Sequence, residues 1–381
     1  MLCGLPLFLP HPFPTGAAPS LTLPVQGPPP ASRRASRLAP PTTATDDDDS
    51  ADRIPTAALA VRRGLIDLDG VVYLGPRVVP AAPEAVAKAR AQGMRVAFVT
   101  NNASRTPAAV AEHLTALGVT AAADEVVTSA QAAARLIAER FPPGSPVLVV
   151  GDTGLRQAVR AHGLRPVTTI HDRPVAVVQG YSPRLGFDLA VEGALAVAAG
   201  ALFVVSNNDA TAPMGRGIQP GNGSFARVIA HATHQEPLVA GKPEPPLHEE
   251  GVRRTGAVNP LVIGDRLDTD IEGAHRRGAA SMLVLTGVTT PVDLLLAPPQ
   301  RRPSYLAYDI GGLNEPHPEV LWDGREARCG GWTATVHSDR LLLQGSGERL
   351  DGLRALCVAA WQSGRVFAPD SLHEVTGILG W

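Results

Sequence analysis

Residues 64–73 have the sequence GLIDLDGVVY, in which the predicted strand Leu65–Leu68 ends among the carboxylates of Asp67 and Asp69. Two carboxylates at positions i and i+2 repel each other unless a divalent cation holds them together. With that cation bound, Asp67 can attack an electrophile while Asp69 gives or takes a proton, which suits covalent phosphoryl transfer. Surface turns produce the same D-x-D-G pattern, so this segment by itself leaves both interpretations open.

Length and composition narrow the class of protein. With 381 residues, the chain is long enough for two domains and an appendage. A formal net charge of −2 and a pI near 6.6 argue against a nucleic-acid-binding or membrane-surface protein. Three scattered cysteines predict a reducing, cytoplasmic setting rather than a disulfide framework or a zinc site. The absence of any run of about 18 apolar residues argues against a membrane span.

Residues 1–62 differ in composition from the rest of the chain. Proline, serine and other small residues dominate, and Asp46–Asp49 form an acidic run. Such a stretch cannot bury enough apolar surface to offset the entropy lost on ordering. We expect a disordered extension that can be removed without loss of stability. A start codon assigned too far upstream is the alternative explanation.

From Gly64 onward, short apolar runs alternate with alanine-rich amphipathic stretches, a pattern typical of βαβ units and an α/β fold with a parallel sheet. The predicted strands are Leu65–Leu68, Arg95–Val99, Val147–Val150, Val175–Val178, Leu202–Val205, Leu261–Ile263 and Ser281–Leu285. The predicted helices are Ala82–Gln92, Pro107–Leu117, Ser129–Glu139, Leu155–Ala161, Asp188–Ala198, Gly223–His231 and Asp270–Arg277. Functional groups of such sheets gather just past the C-terminal ends of the strands.

Glycine and proline turns divide this α/β region into a core and an inserted block. Such turns flank residues 144–216, which we interpret as a domain inserted between two parts of the core, residues 63–143 and 217–312. Beyond residue 316 the sequence becomes richer in tryptophan and shows the alternation of short β-strands. Residues 316–381 are therefore predicted to form a small α+β appendage.

Three polar residues, Thr100-Asn101-Asn102, follow the predicted strand Arg95–Val99. A hydroxyl and two amides at this position can donate hydrogen bonds to phosphate oxygens without adding charge. We therefore take all three as candidate phosphate-binding residues. An asparagine-rich turn without a ligand is the alternative.

Lys242 lies between Gly241 and Pro243. The glycine permits close approach of the backbone and the proline stiffens it, so the lysine would be held in place. A lysine held there would neutralise both a bound phosphate and the clustered carboxylates. The alternative is an ordinary solvated lysine.

A second acidic segment follows the predicted strand Leu261–Ile263. Asp265 stands at the strand end, where a metal ligand belongs. Asp270 stands near a helix start, where its carboxylate could hold Lys242 or a metal-bound water. A dense acidic turn with no phosphate role is the competing interpretation, and Asp268 fits it.

Two segments of the inserted block resemble these motifs without their partners. Asp152 follows a glycine at a strand end and is predicted to be a turn residue. Asn207, Asn208 and Asp209 follow the predicted strand Leu202–Val205, and they could face the site as substrate contacts rather than as catalysts. The histidines of the chain form no zinc pattern.

Along the chain, the four motifs occur in the order D-x-D-G, T-N-N, G-K-P and G-D-x-x-x-T-D, each after an apolar strand. This order, with the forms GLIDLDGVVY, FVTNNASRT, PGNGS, AGKP and VIGDRLDTDIEGA, resembles the haloacid dehalogenase (HAD) superfamily of phosphatases. The forms are similar to its type IIA (C2-capped) subfamily, the NagD-like or 4-nitrophenylphosphatase branch, over residues 63–309.

The resemblance implies a Rossmann-like core with an α/β C2 cap between the second and third motifs, where the inserted block lies. It implies Mg²⁺ held by Asp67, by the backbone carbonyl of Asp69 and by Asp265. Asp67 would be the nucleophile and Asp69 the general acid and base. Phosphate would be bound by Thr100 and Lys242.

A similar core fused to a C-terminal piece that resembles part of an acetyltransferase (GNAT) fold occurs in actinobacterial glycerol 3-phosphate phosphatases. Gln344–Gly347, ahead of a predicted helix at Arg349–Trp361, is similar to a fragment of that fold and could cradle a pyrophosphate. Only about 65 residues are present, too few for a whole cofactor cleft, and Glu348 lies where the phosphates would bind. We predict a docked structural module whose tryptophans pack among themselves or against the core. An acetyl-CoA site is the alternative.

Together these features predict a cytoplasmic, Mg²⁺-dependent phosphomonoesterase that acts on a small phosphorylated metabolite, with glycerol 3-phosphate as the first candidate. A nucleotide or sugar-phosphate phosphatase with the same core is the alternative, because the cap sets the leaving group. A transferase activity of the C-terminal piece and a binding protein with a decayed core belong to other classes, and the intact Asp67 argues against the latter. We expect no nucleic-acid or membrane partner, and the cap is a candidate surface for a homodimer.

Overall fold

The computed structural model describes residues 63–214, 217–256 and 259–381, so the predicted disordered extension, residues 1–62, lies outside the described residues. None of the helices within these ranges is both long and apolar enough to cross a membrane. The described strands are β1 Arg63–Asp67, β2 Tyr73–Leu74, β3 Arg77–Val78, β4 Arg95–Thr100, β5 Val126–Thr128, β6 Pro146–Val150, β7 Arg165–Val167, β8 Ala176–Gln179, β9 Leu202–Val205, β10 Thr211–Met214, β11 Gly217–Pro220, β12 Leu238–Val239, β13 Leu261–Gly264, β14 Ala280–Val284, β15 Tyr305–Ala307, β16 Leu321–Trp322, β17 Glu326–Cys329, β18 Trp332–His337 and β19 Arg340–Gly345. The described α-helices are α1 Ala82–Ala91, α2 Pro107–Ala116, α3 Ser129–Ala138, α4 Thr153–Ala161, α5 Phe187–Ala198, α6 Asn222–Thr233, α7 Pro245–Thr255, α8 Glu272–Arg276, α9 Pro291–Leu295, α10 Arg349–Ser363 and α11 Pro369–Ile378.

The core is a parallel sheet with β1 at its centre. Its strands lie in the order β15-β14-β13-β1-β4-β5, and all of these pairs are parallel. Leu65 packs into the apolar cluster on one face of the sheet and Ile66 into the cluster on the other face. Because helices cover both faces, the strands are apolar throughout instead of alternating. The predicted α/β, Rossmann-like class is confirmed.

Capping residues mark the starts of two helices of the core, α2 and α3. The Thr106 side chain accepts a hydrogen bond from the Ala109 backbone N–H, and Pro107 occupies the first helical position of α2. Thr128 and Gln131 form a reciprocal capping box at the start of α3. These caps explain why the predicted helix starts at residues 107 and 129 coincide with the observed ones.

The inserted block is longer than the predicted 144–216. Its five-stranded parallel sheet has the order β12-β9-β8-β6-β7, and β12 at Leu238–Val239 pairs with β9. Helix α6 also belongs to this block, because Ala226 and Ile229 pack into the same apolar cluster as Val177. The expected return to the core at residue 217 is therefore wrong, and the block extends through Val239.

The C-terminal region is an antiparallel sheet, β16 to β19, with helices α10 and α11. Leu353 and Leu356 of α10 share one apolar cluster with Leu283 and Leu306 of the core. Polar contacts add to this packing, since the buried Arg354 guanidinium donates to the Leu306 carbonyl at 2.7 Å. The region packs on the core as a docked module would.

Other groups of the protein contact the glycine-containing segment Gln344–Gly347 and the start of α10. Glu348 caps the helix, because its side chain accepts from the Leu350 backbone N–H at 3.4 Å. The Tyr308 hydroxyl donates to the same carboxylate at 2.6 Å. A Cβ added at Gly331 would lie 2.2 Å from the carbonyl oxygen of Ser346, so the backbone at Gly331 packs directly against this segment. This packing favours the structural role over an acetyl-CoA site.

Candidate active site

The ends of the central core strands bring the predicted motifs together. Asp67 at the end of β1 lies in register with Val99 of β4, and Ile66 lies in register with Ile263 of β13. Parallel strands end at one edge, so Asp67, Thr100 and Asp265 all emerge there. Their exposed fractions are 9%, 3% and 1%, respectively. The three side chains are therefore buried and do not belong to a surface turn.

Three carboxylates meet at this edge. Oxygen atoms of Asp67, Asp265 and Asp270 all lie within 4.8 Å of one another, and they are the one such potential metal-binding group in the described ranges. Burial raises the pKa of Asp67 well above its usual value, Lys242 opposes the increase, and Asp270 and Asp265 add to it. Burial, followed by the Asp270 charge, raises the pKa of Asp265 to about 7. Burial and neighbouring negative charge thus favour the protonated forms of Asp67 and Asp265, and a cation bound beside them would favour the ionised forms.

The environment of Asp265 fits a divalent metal ion. Its Oδ2 accepts from the Val288 backbone N–H at 2.8 Å, whereas the buried Oδ1 has no hydrogen-bond partner among the described residues. Carboxylate oxygens of this kind are the ligands that Mg²⁺ prefers. A Cβ at Gly70 would lie 2.5 Å from the Asp265 carboxylate, and one at Gly287 would lie 1.9 Å from it. Glycines thus leave room for Asp265 to reach the cluster.

Lys242 joins two of the carboxylates. Its Nζ donates to Asp67 Oδ1 at 2.5 Å and to Asp270 Oδ1 at 2.6 Å, and the residue is 4% exposed. Burial lowers the pKa of Lys242, but the charges of Asp270 and Asp67 outweigh it and leave the pKa above its usual value. The remaining oxygen of Asp270 accepts from the Arg266 backbone N–H at 3.1 Å. Lys242 is therefore a permanently charged, buried group rather than a solvated surface lysine.

Asp69 differs from the clustered carboxylates because it is exposed and lies outside their group. Desolvation by the surrounding protein nevertheless raises the pKa of its carboxyl group, against the opposing charges of Lys242 and Arg105. Behind it, the turn is closed by a hydrogen bond from the Gly70 backbone N–H to the Tyr73 carbonyl at 2.8 Å. A reachable carboxyl with a raised pKa is what a general acid requires.

The side chains of Thr100, Asn101 and Asn102 make hydrogen bonds to other groups of the protein. Thr100 Oγ1 accepts from the Asn102 backbone N–H at 3.1 Å, and Asn102 Oδ1 accepts from the Ser104 backbone N–H at 2.9 Å. Asn101 Oδ1 accepts from the Lys242 backbone N–H at 2.8 Å. The side chain of Asn101 thus holds Lys242, whereas a direct phosphate contact remains a prediction for these residues.

The predicted cap residues reach this segment. Asn207 Nδ2 donates to the Asn101 carbonyl at 2.6 Å, and both carboxylate oxygens of Asp209 lie 3.2 Å from Asn101 Nδ2. Burial raises the pKa of Asp209, and the hydrogen bond from Asn101 opposes the increase. Asn208 is exposed. Asp152 accepts from the Thr153 backbone N–H at the start of α4, which agrees with a turn role.

Sequence reasoning missed two groups near this site. His248 on α7 is fully buried, and burial, with the charge of Lys242, lowers its pKa to about 4. No periodic pattern had predicted α7, so nothing in the sequence pointed to this histidine. Arg105 is exposed and close enough to Asp69 to lower its pKa. It stands three residues after Asn102, within the quoted motif, which is the signal that could have found it.

Family comparisons divide the chain into three segments. A family model described as haloacid dehalogenase-like hydrolase matches residues 64–165, and one described as HAD-hydrolase-like matches residues 239–313. A third, described as a GCN5-related N-acetyltransferase like domain, matches residues 329–376. The first match covers the N-terminal part of the core and the beginning of the inserted block, the second covers the C-terminal part of the core, and the third lies within the C-terminal module.

Individual relatives cover most of the chain. It is 44% identical over 307 residues to D-glycerol 3-phosphate phosphatase of Mycobacterium tuberculosis, covering 78% of this chain and 85% of the relative. It is 37% identical to the 5'-nucleotidase YutF of Bacillus subtilis, covering 59% and 87%. The solved glycerol phosphate phosphatase from M. tuberculosis in complex with magnesium superposes with a TM-score of 0.76 at 43% identity, covering 82% of this chain and 94% of that one. NagD from E. coli K-12 gives a TM-score of 0.60 at 27% identity, covering 66% and 97%.

Proposed function

Because the chain belongs to the haloacid dehalogenase-like hydrolases and is a phosphatase, we propose that it hydrolyses a small phosphorylated metabolite in a Mg²⁺-dependent reaction, with glycerol 3-phosphate as the favoured substrate. The observation that carries this proposal is the buried group of Asp67, Asp265 and Asp270, with Lys242 bonded to two of its members. This group combines a nucleophile, metal-binding carboxylates and a fixed positive charge at the edge of the sheet where the core strands end.

Asp67 and Asp265 would hold Mg²⁺, which neutralises the charge of the phosphate and of the attacking carboxylate when bound. An Asp67 oxygen attacks phosphorus, and the bond from phosphorus to the leaving oxygen breaks. Asp69 protonates that oxygen as the alcohol departs. Asp69 then takes a proton from water, whose oxygen attacks the same phosphorus and releases Asp67. Lys242 stays charged throughout and balances the negative charge at the site.

The substrate is tested with a panel of phosphate esters. The M. tuberculosis relative is a D-glycerol 3-phosphate phosphatase, and other relatives are a 5'-nucleotidase and acid sugar phosphatases. We expect kcat/KM with Mg²⁺ to be highest for glycerol 3-phosphate and activity to vanish in EDTA. A higher kcat/KM for a nucleoside monophosphate or a sugar phosphate would favour the alternative substrate class. Activity that persists in EDTA would contradict the metal-dependent mechanism.

Asp69→Asn is expected to lose about 10²–10⁴-fold in kcat on an alkyl phosphate, because the amide cannot protonate the leaving oxygen. The loss should be smaller on 4-nitrophenyl phosphate, whose leaving group needs no proton. Single-turnover release of the alcohol or of nitrophenol measures the difference, because it reports the first step and not the later hydrolysis in which Asp69 acts as the base. Asp124→Asn is the matched control, since it removes an exposed aspartate of the core loop. Equal losses on both substrates would contradict the acid role.

We infer that the cap carries a homodimer surface on helix α5. Phe187, Val191 and Leu195 stand at i, i+4 and i+8, and their exposed fractions are 82%, 36% and 48%. An apolar stripe of this kind is typical of an interaction surface. Phe187→Asp should shift the sedimentation coefficient from dimer to monomer, whereas Val366→Asp, an exposed site in the C-terminal module, should not. A monomeric wild-type protein would contradict this inference.

We also infer a cytoplasmic location from the cysteines. Cys329 and Cys357 are buried free thiols in the described part of the chain. Burial raises the pKa of Cys329 to about 12 and raises that of Cys357 as well, so neither is reactive. Unpaired thiols are typical of proteins in reducing compartments. Cell fractionation tests the location.

A further inference from the structure

Contacts from two distant segments converge on the side chain of Asn101. Its Oδ1 accepts from the Lys242 backbone N–H at 2.8 Å, and its Nδ2 donates to the Lys242 carbonyl at 3.2 Å. The same Nδ2 lies 3.2 Å from both carboxylate oxygens of Asp209, which comes from the cap. The Asn101 carbonyl accepts from Ser129 Oγ and from Asn207 Nδ2, both at 2.6 Å. Both the oxygen and the nitrogen of this side-chain amide therefore have hydrogen-bond partners within the protein.

The surroundings leave little freedom for any other arrangement. A Cβ added at Gly241 would lie 2.5 Å from Asn101 Oδ1 and 2.5 Å from the Ser206 carbonyl oxygen. The segment that carries Lys242 thus packs directly between the amide and the cap strand end. Lys242 Nζ in turn donates to Asp67 at 2.5 Å. A continuous series of contacts links Asp209 of the cap with the nucleophile.

A primary amide can be placed in two orientations that exchange its oxygen and nitrogen. Only one of them presents the oxygen to the Lys242 N–H. A carboxylate has acceptors but no donors when ionised, so Asp209 favours the orientation in which Asn101 presents its NH₂ group to the cap. The Asn101 oxygen is then left facing Lys242. Asp209 therefore adds to the preference for this orientation, which the Lys242 N–H and carbonyl also favour.

We propose that Asn101 is a positioning residue that fixes the Lys242 backbone, and that Asp209 of the cap reinforces the orientation of the Asn101 amide. This inference rests on the proposed phosphatase function and refines two of the expected roles. Asn101 acts through Lys242 instead of binding phosphate with its side chain. Asp209 acts on the position of Lys242 and not on the choice of substrate. Contact between the cap and the core thereby becomes part of assembling the site.

The test exchanges donor and acceptor between the two residues. Asn101→Asp should lower kcat about 10²-fold, because its carboxylate repels Asp209 and displaces Lys242. Adding Asp209→Asn supplies an amide that can donate to the new carboxylate. The double variant should recover at least about tenfold over Asn101→Asp alone, as expected for directly coupled residues. Losses and recovery should be equal on glycerol 3-phosphate and 4-nitrophenyl phosphate, because Lys242 serves every substrate.

Asp268→Asn combined with Asn101→Asp is the matched control. It removes a nearby negative charge, but the Asp268 carboxylate bonds to Arg266 instead. No recovery is expected from this pair. The proposal is overturned if the Asp209→Asn double variant shows no recovery, if the Asp268→Asn pair recovers as much, or if the losses change only the ranking of substrates.

Melting temperatures show whether each variant folds, and wild-type activity in the same assay tests the phosphatase function separately. If Asn101→Asp does not fold, Asp209→Leu provides the second test, since it removes the acceptor that orients the amide. It should lower kcat on both substrates and weaken inhibition by inorganic phosphate. Unchanged kcat and unchanged inhibition in Asp209→Leu would overturn the proposal.

Discussion

Asp67→Asn is expected to fold normally and to lose on the order of 10⁴-fold or more in kcat/KM with Mg²⁺, as enzymes do when the nucleophile is removed. An amide is a poor nucleophile toward phosphorus and a poor ligand for a hard cation. The fold should persist, because the amide has a similar shape and Lys242 keeps its second carboxylate partner, Asp270, at 2.6 Å. Phosphate release measures the loss, and the melting temperature reports the fold.

The matched control for this variant is Asp268→Asn. Its carboxylate accepts two hydrogen bonds from Arg266, at 3.1 and 2.9 Å, and does not belong to the carboxylate group. Activity in this control should stay within about tenfold of wild type. Turnover by Asp67→Asn at a rate close to that of the control would show that another residue attacks phosphorus.

Lys242→Met is expected to lose activity and also stability. Removing one member of a buried ion pair typically costs about 3–5 kcal/mol, because the partner charges stay buried without compensation. Here the partners Asp67 and Asp270 are 9% and 0% exposed. The chain has one other lysine, the exposed Lys88, so Lys88→Met is the matched control and should leave both properties unchanged.

The stability loss in Lys242→Met should depend on pH in a defined direction. Burial already raises the pKa of Asp67 above its usual value of 3.8, and Lys242 is the opposing group. Without the lysine, the folded protein favours the protonated carboxyl even more strongly. A group whose pKa is raised by folding adds stability at low pH and loses that contribution as the pH rises through the folded pKa.

The difference in melting temperature between Lys242→Met and wild type should therefore shrink as pH falls from about 8 to about 5. Calorimetry in EDTA measures it without interference from metal binding. A difference that stays constant across this range would mean that the lost stability comes from packing of the lysine stem and not from its charge.

Much of the core and of the inserted block could be predicted from local patterns. The strand Leu202–Val205 was predicted with its observed ends, and helix starts at Pro107 and Ser129 matched because capping residues mark them. The apolar run before Asp67 and the one before Asp265 read as buried parallel strands. Once both strands are parallel and share a sheet, their ends must lie at one edge. The approach of Asp67 to Asp265 follows from that geometry.

Short elements and domain boundaries could not be predicted in this way. The two-residue strand Leu238–Val239 has no period of its own and exists because it pairs with β9. The turn before Asn222 looks like a domain boundary, yet it starts a helix whose apolar face packs on the cap. Helix α7, Pro245–Thr255, begins with two prolines and was not predicted. In each case, packing against a remote segment decided the outcome.

The groups of the site could be predicted from the order of residues: a pair of acids after one strand, an acid after another, and a lysine held between glycine and proline. The contacts of Asn101 could not be predicted in this way, because an asparagine can donate or accept and its partners lie 108 and 141 residues away in the chain. The same holds for Lys242, whose charge depends on burial and on carboxylates at 2.5 and 2.6 Å. Residue type sets what a group can do, whereas desolvation and distance, which arise when remote segments pack, set what it does.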